Sequence, residues 1–520
     1  MNFKDNITIL WVDDEVDLLK PHILFLEQKG YQLQTANNGV SALEMLETTP
    51  FDLVFLDENM PGLSGLETLL EIKSKQADLP VIMITKSEEE SIMEEAIGSK
   101  ISDYLIKPVN PNQILLSIKK HIDSRRLVNK KTNTEYQKEF RDIGLKLNGD
   151  LGIVDWQNLF RKITFWELEL EKSGDSNMRD ILDMQKAEAN SQFFKYIKNN
   201  YQSWFTDTDN APLLSHQVFE RTVLPELDKN QTTYFIVIDN LRYDQWKMIQ
   251  PSLMNDFRID TESLYFSILP TATQYSRNAI FSGLMPLQMQ QEHPNWWKND
   301  IDEGGKNMFE NEFLKSQLRR FGKDNVKFSY NKITNLDAGK RLVDNMSNLI
   351  NNQLNVIVYN FVDMLSHSRT DMKVIKELAE GNAAYRSLTT SWFEYSPLKE
   401  MFNFIAKNKS KVIVTTDHGT VQVKRPTKVI GEKDITSNLR YKTGRNMKYN
   451  AKDVYEVNQP KDVHLPSINM SSKFIFAKED YFFAYPNNYN HYVNHFKETF
   501  QHGGISLEEM LIPIVSLSSK

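Results

Sequence analysis

Three short apolar runs in this sequence each end in an aspartate. Thr233-Tyr-Phe-Ile-Val-Ile leads into Asp239, Asn355-Val-Ile-Val-Tyr-Asn-Phe-Val into Asp363, and Lys411-Val-Ile-Val-Thr-Thr into Asp417. Histidines accompany them. His418 follows Asp417 directly, Asp363 and His367 form an Asp-x-x-x-His pattern, and His502 opens His502-Gly-Gly-Ile near the C-terminus. Carboxylate together with neutral imidazole is a ligand set for zinc. Two such sets would make a two-metal site, which can stabilise both the attacking and the leaving oxygen of a displacement. A hydroxyl nucleophile is also at hand in Pro270-Thr-Ala-Thr-Gln-Tyr-Ser-Arg277, where Thr271 and Thr273 both qualify.

Positioning these side chains requires a parallel sheet. The β-branched runs read as strands buried on both faces, and ligands of open α/β sheets sit at the carboxyl ends of such strands. Gly419 lets the chain turn just beyond Asp417-His418. The stretch from Pro270 to Gly283 reads as a strand end followed by a helix that closes at Ser282-Gly283. A hydroxyl at that helix N-terminus would face an anion held by exposed N–H groups.

In order, these motifs resemble the alkaline phosphatase superfamily, and the His-Gly-Gly motif is most like its PglZ branch. The resemblance covers roughly residues 206–520. It implies one zinc held by Asp363, His367 and His502, and a second by Asp239, Asp417, His418 and the nucleophilic threonine. The spacing back from Ser282-Gly283 favours Thr273, while Thr271, directly after Pro270, stays open. Arg277 is expected to grip a non-bridging phosphoryl oxygen. The excursions 284–354 and 420–500 are expected to build a cap over the site. His491 and His495 are read as surface or core-packing residues and His293 as a packing residue; Lys424, Arg425 and Lys428 are read as a solvated charged loop, with contact to a polyanionic substrate as the alternative.

A second acidic constellation lies near the N-terminus. Ile7-Thr-Ile-Leu-Trp-Val ends in Asp13-Asp14, and Phe51-Asp-Leu-Val-Phe-Leu ends in Asp57. Val81–Thr85 ends in a hydroxyl and Asp103–Ile106 is followed by Lys107. Alternating strands and helices of this length imply a doubly wound parallel sheet of five strands. Three converging carboxylates require a hard cation, and Mg²⁺ suits them. A carboxylate beside Mg²⁺ can accept a phosphoryl group, whose oxygens Lys107 and Thr85 would then meet. The segment 1–122 resembles the receiver domain of bacterial response regulators. The resemblance implies Asp57 as phosphoacceptor, Asp13, Asp14, Asp57 and Asn59 around Mg²⁺, and Thr85, Tyr104 and Lys107 as switch positions. A helix over Val16–Lys29, closed by Gly30, is expected.

Between the two lies a stretch, 123–205, with dense charge and apolar residues at helical spacing. Breaks at Gly149-Asp150 and at Ser173-Gly-Asp-Ser176 divide it into a three-helix bundle. Its predicted apolar stripes include Phe140, Phe165-Trp166, Ile181 and Met184. The fold class is therefore α/β: a receiver, a helical connector, then a larger alkaline-phosphatase-like domain.

Composition limits the function classes. The 520 residues carry a net charge of −7, which argues against a protein that grips nucleic acid chiefly by its phosphates. No basic recognition helix is evident, so double-stranded DNA binding is not expected. Cysteine is absent, which excludes disulfides, thiolate ligands and a cysteine nucleophile. No apolar run approaches the about 20 residues of a membrane helix, and no apolar leader precedes the first strand, so a cytoplasmic location is expected.

The whole order of parts resembles a class of response regulators associated with type IX secretion. The resemblance implies a cognate histidine kinase, homodimerisation on phosphorylation of Asp57, and phosphodiesterase activity on oligonucleotide-like substrates. The alternative is a non-enzymatic adaptor that binds a sigma factor or a secretion component.

Overall fold

The computed structural model describes residues 7–76, 79–86, 101–173, 176–227, 231–362, 381–431, 436–467, 469 and 471–520. The chain divides into two compact units, Met1–Gln137 and Lys138–Lys520.

The first unit is built on five parallel strands: β1 (Thr8–Val12), β2 (Gln32–Ala36), β3 (Leu53–Asp57), β4 (Val81–Thr85) and β5 (Asp103–Ile106), in the order β2-β1-β3-β4-β5. Side chains alternate across a strand, so the sheet feeds two separate cores. Leu10, Val12, Val54 and Leu56 pack on one face with Ala42, Leu46, Leu69 and Ile72. Ile9, Trp11, Phe55 and Ile84 pack on the other with Leu26, Ile114 and Ile118. All parallel strands end at one edge, which gathers Asp13, Asp57, Thr85 and Lys107. The helix expected over Val16–Lys29 splits into a 3-10 turn, Val16–Leu19, and an α-helix, Lys20–Gln28. Pro21 is the reason: it lacks an N–H and is tolerated only in a helix's first turn.

The second unit contains the connector from Lys138 onward together with the large α/β domain. Helices run over Ser124–Leu147, Ile153–Ser173 and Ser176–Asn200, with the first break at the expected Gly149-Asp150. Trp156, Phe160, Ile163, Trp166, Phe193 and Ile197 are buried. Phe140, Phe165, Ile181 and Met184, assigned to the apolar stripes, are instead exposed, Met184 by 74%. Successive helical residues are about 100° apart, so Phe165 and Trp166 cannot both face inward.

The main sheet has six strands: β6 (Thr233–Ile238), β7 (Phe257–Phe266), β8 (Phe328–Ile333), β9 (Leu354–Tyr359), β10 (Lys411–Thr415) and β18 (Leu511–Ser519), in the order β7-β18-β10-β6-β9-β8. β6 pairs in parallel with both β10 and β9, with Val237 opposite Thr415 and Ile238 opposite Tyr359. Their carboxyl ends therefore reach one edge together. β18 is antiparallel to its neighbours β7 and β10. The excursion between β10 and β18 holds the two-stranded ladders β11 (Val421–Gln422) with β17 (Phe500–Gln501) and β12 (Arg425–Lys428) with β16 (Tyr481–Ala484). It also holds a three-stranded sheet of β13 (Tyr441–Gly444), β15 (Lys473–Ala477) and β14 (Val454–Val457).

Charged side chains dock the connector on this domain. Lys186 bridges Glu167 (2.8 Å) and Glu508 (3.0 Å), and Arg386 bridges Glu167 (2.6 Å) and Asp244 (2.8 Å). Burial alone would raise the Glu167 carboxyl, but Lys186 and Arg386 outweigh it and hold it at about 2. Asn190 accepts from the Leu507 N–H (2.8 Å) and donates to Glu508 (3.2 Å), tying the connector to the segment that leads into β18.

Candidate functional site

Asp239 leaves the end of β6, and Asp417-His418 leave the end of β10, so the parallel pairing alone brings them together. Ligand atoms of Asp239, Asp417 and His418 all lie within 4.8 Å of one another, and all three residues are buried. The sharp turn after them needs glycine. A Cβ on Gly419 would stand 1.9 Å from the Glu508 carbonyl oxygen.

The helix Thr273–Ser282 begins at this cluster and closes at Gly283, which has φ +62°. Thr273 Oγ lies 3.0 Å from His418 Nε2 and 3.3 Å from Asp239 Oδ1. Ala272 holds the N-cap position, with no side-chain capping hydrogen bond. Thr271 is differently employed. Its hydroxyl donates to the Gly504 carbonyl (2.9 Å) and accepts from the Gly503 N–H (3.1 Å), fully buried. It thereby clamps the loop that carries His502. The His502 ring stacks on His418, with centroids 4.2 Å apart, and its Nδ1 lies 3.3 Å from the Thr271 carbonyl oxygen. Asp363 and His367 lie outside the described residues.

The electrostatics suit a cation. One oxygen of Asp417 accepts from the N–H groups of Asn240 (3.2 Å) and His418 (3.1 Å). The other, Oδ2, is buried with no hydrogen-bond partner among the described residues. Burial and the neighbouring Asp239 charge push the Asp417 carboxyl well above the usual range. Burial also acts on Asp239, but the Arg277 and His418 charges outweigh it and hold that carboxyl low. Burial lowers His418, favouring the neutral imidazole. The His418 Nδ1–H donates to the Gly419 carbonyl (3.0 Å), which leaves the Nε2 lone pair facing Thr273 and the carboxylates. An orphaned carboxylate oxygen, a second carboxylate and an aimed imidazole form a donor set that fits zinc.

Arg277 does not stand open to an incoming anion as expected. It is 1% exposed and spans Asp239 Oδ2 (2.7 Å) and Glu310 Oε1 (2.5 Å). Glu310 also accepts from Lys332 (2.8 Å) and from the Tyr330 hydroxyl. Sequence reasoning missed Glu310, which lies in the excursion 284–354 and has no neighbouring motif to mark it. It also missed Glu509, which accepts from Arg440 (2.6 Å) and from the Gly504 N–H (2.9 Å), and so braces the His502 loop.

His293 packs, stacked on Trp296 at 4.3 Å, whereas His491 and His495 lie 6.4 Å apart on the exposed side of the helix Tyr489–Phe496. Arg425 pairs with Glu479 and Asp480.

In the first unit, Asp13, Asp14 and Asp57 likewise place ligand atoms within 4.8 Å of one another. Lys107 Nζ bridges Asp13 (2.9 Å) and Asp57 (2.7 Å). Burial raises the Asp57 carboxyl despite the Lys107 charge. The Thr85 hydroxyl donates to Glu58. Tyr104 is 39% exposed and Asn59 lies at the surface. Acidic oxygens from three positions at one strand edge form a donor set that fits Mg²⁺.

Comparison with known proteins agrees with this division. Residues 218–517, more than half of the chain, match the family described as the BREX system PglZ alkaline phosphatase-like domain. The chain belongs to the PglZ family. Its PglZ domain follows a match to the PorX response regulator linker domain over 126–205 and to the response regulator receiver domain over 9–119. A receiver, a PorX-type linker and a PglZ output domain thus follow one another in one chain. ResD of Bacillus subtilis, a transcriptional regulatory protein, is 33% identical over 119 residues, which cover 23% of this chain and 49% of ResD. ZraR of Klebsiella oxytoca is 35% identical over 24% of this chain and 28% of its own length. The chain thus spans half or less of these two relatives. A CpxR homologue of Haemophilus influenzae is 30% identical over 35% of this chain and 80% of its own length. A CheY-like receiver from Methanospirillum hungatei is 28% identical, covering 23% of this chain and 96% of that one, with a TM-score of 0.23.

Proposed function

We propose that the PglZ domain is a zinc phosphodiesterase, with Thr273 as its nucleophile, whose activity is controlled by phosphorylation of Asp57. One observation carries the catalytic reading. The Thr273 hydroxyl sits 3.0 Å from His418 Nε2 and 3.3 Å from Asp239, beside an Asp417 oxygen with no hydrogen-bond partner among the described residues.

Asp239, Asp417 and His418 would hold one zinc, and His502, with Asp363 and His367, the other. When bound, zinc supplies positive charge that acidifies an oxygen nucleophile and stabilises a leaving oxygen. Thr273 Oγ bonds to phosphorus and releases its proton to solvent, while the ester bond on the opposite side breaks and the departing alkoxide takes up a proton from water to leave as the alcohol. Water then cleaves the phosphothreonine and regenerates the hydroxyl. Arg277, shared between Asp239 and Glu310, keeps Asp239 ionised and oriented, so it serves as a positioning residue.

The receiver supplies control. A cognate histidine kinase is the expected phosphoryl donor, and Mg²⁺ would be held by Asp13, Asp14 and Asp57, with the Asn59 carbonyl as a further ligand. A phosphoryl group on Asp57 offers the Thr85 hydroxyl a dianionic acceptor in competition with Glu58, while Lys107 is already in place to pair with it. Dimerisation is the expected output, through a face that includes β5 (Asp103–Ile106); residues 88–97, expected to share it, lie outside the described residues. Oligonucleotide-like diesters as substrates and a link to type IX secretion are what the family resemblance implies; a sigma factor or secretion component would be the partner in the alternative, adaptor reading.

The test is turnover of an aryl phosphodiester by zinc-loaded protein, alongside the matching monoester. Faster diester hydrolysis, lost in Thr273→Val, is expected. A protein that holds two zinc ions yet cleaves neither ester would overturn the catalytic reading and favour a partner-binding role.

A further inference from the structure

A cavity of about 610 Å³ opens beside the catalytic cluster, with His502 in its wall. Any substrate reaching the His502 loop has this space available for one of its ester arms. The cavity is lined by aromatic side chains, Phe483, Tyr485 and Tyr492 among them, and by a buried cation, Lys442.

Lys442 differs from the other buried cations of this unit. Arg242 is paired with Asp244, Arg277 with Asp239, Arg386 with Asp244, Arg440 with Glu509 and Lys186 with Glu508. Lys442 is 2% exposed and has no carboxylate partner among the described residues. Its ammonium donates to the Thr436 carbonyl (2.5 Å) and lies 5.3 Å from the centroid of the Tyr485 ring. An ammonium has three N–H donors, so others remain for a ligand. Burial without a counter-charge pushes this amine down to about 8. The acid in the same wall does not neutralise it. Asp300 is held by the hydroxyls of Tyr275 (2.5 Å) and Tyr441 (2.7 Å).

A buried ammonium that lacks an anion is costly, and an entering phosphate would supply one. The Tyr485 face beside it, in a wall that also holds Phe483 and Tyr492, suits a planar ring between two charged groups, as base–aromatic stacking does elsewhere. We propose that this cavity is a second-anion subsite, in which Lys442 binds a phosphate one unit removed from the scissile phosphodiester while the aromatic wall carries the intervening ring. The inference rests on the phosphodiesterase reading and adds to it a preference for diesters that bear a neighbouring phosphate.

The test compares a dinucleoside monophosphate, which has only the scissile phosphate, with the same compound carrying a terminal phosphate on its 5′ or its 3′ end. Within each protein the measured quantity is the ratio of kcat/KM values, from which general losses of activity cancel. In the native, zinc-loaded full chain, one terminal phosphate should raise kcat/KM by about 10-fold or more, the scale of one charge-assisted hydrogen bond. Lys442→Met should bring that ratio close to one, and Lys442→Arg should retain most of it. Lys442→Gln serves if the methionine variant does not fold. The same ligands and inorganic phosphate are also titrated calorimetrically into metal-free protein. A Lys442-dependent binding preference without turnover would sustain the subsite and sink the phosphodiesterase reading. Turnover with a native ratio near one, and no binding preference, overturns the subsite. Lys442-dependent binding of inorganic phosphate without any preference among the dinucleotides marks a free-anion site and also overturns it.

Discussion

Thr271 and Thr273 lie two positions apart, and removing either hydroxyl should have opposite consequences. Valine is nearly isosteric with threonine, so the substitution isolates the oxygen. At Thr271 the oxygen bonds the Gly504 carbonyl at 2.9 Å and the Gly503 N–H at 3.1 Å, in a position closed to solvent. Thr271→Val leaves both backbone groups without this partner, and each unsatisfied group costs about 1–3 kcal/mol. A loss of about 2–6 kcal/mol follows, with some loosening of the His502 loop. At Thr273 the hydroxyl faces only Asp239 and His418 and is partly open. Thr273→Val should change stability by less than about 1 kcal/mol, as surface-like changes do. If Thr273 is the nucleophile, its loss should slow diester turnover by about 10³-fold or more, equivalent to about 4 kcal/mol in the barrier. Urea unfolding of the metal-free proteins and initial rates of the zinc-loaded ones measure the two effects separately. The expected pattern is a stable, inactive Thr273→Val beside a destabilised Thr271→Val that keeps activity within about 10-fold. An active Thr273→Val beside an inactive but fully stable Thr271→Val would refute the assignment and the hydrogen-bond argument together.

Zinc should raise the unfolding free energy by about 2.7 kcal/mol at free metal a hundredfold above its dissociation constant; a chelator should reverse this, and His502→Ala should weaken one of two ions in a calorimetric titration. Arg277→Ala strips the shared counter-charge from Asp239 and Glu310. It should destabilise the fold by about 3–5 kcal/mol and reduce zinc affinity, as read by denaturation and elemental analysis. Beryllofluoride with Mg²⁺ should shift native protein, but not Asp57→Ala, from monomer toward dimer in sedimentation, and an unchanged mass would count against that mode of control. His216 has a buried Nδ1 without a hydrogen-bond partner among the described residues, and burial near His464 pushes it down to about 4. The unfolded chain takes up this proton near its ordinary value of about 6.5 and the folded chain does not. Its share of stability is therefore constant above that value and falls as the pH drops from there toward 4. His216→Gln should flatten the fall in urea midpoint between neutral and mildly acidic pH, and identical profiles would remove this explanation.

The strand ends were legible in the sequence because their signal is local. An apolar, β-branched run long enough to cross a sheet and closed by Asp239, Asp417 or Asp57 states both the strand and the edge at which its acid emerges. Parallel pairing then brings Asp239 beside Asp417-His418, and Asp57 beside Asp13, without further information. The turn at Gly419 and the helix end at Gly283 were legible for the same reason, since each is set by a few consecutive residues. The engagement of the Thr271 hydroxyl with the His502 loop was not, because it depends on Gly503 and Gly504, which meet Thr271 from more than 200 positions away. Nor could periodicity reveal that Glu310 and Asp239 share Arg277, or that Lys442 is buried with no carboxylate partner among the described residues. Whether a buried charge is paired depends on which distant side chains reach it. That is decided when the excursions between the strands fold back over the sheet, and residue order along the chain carries no record of it.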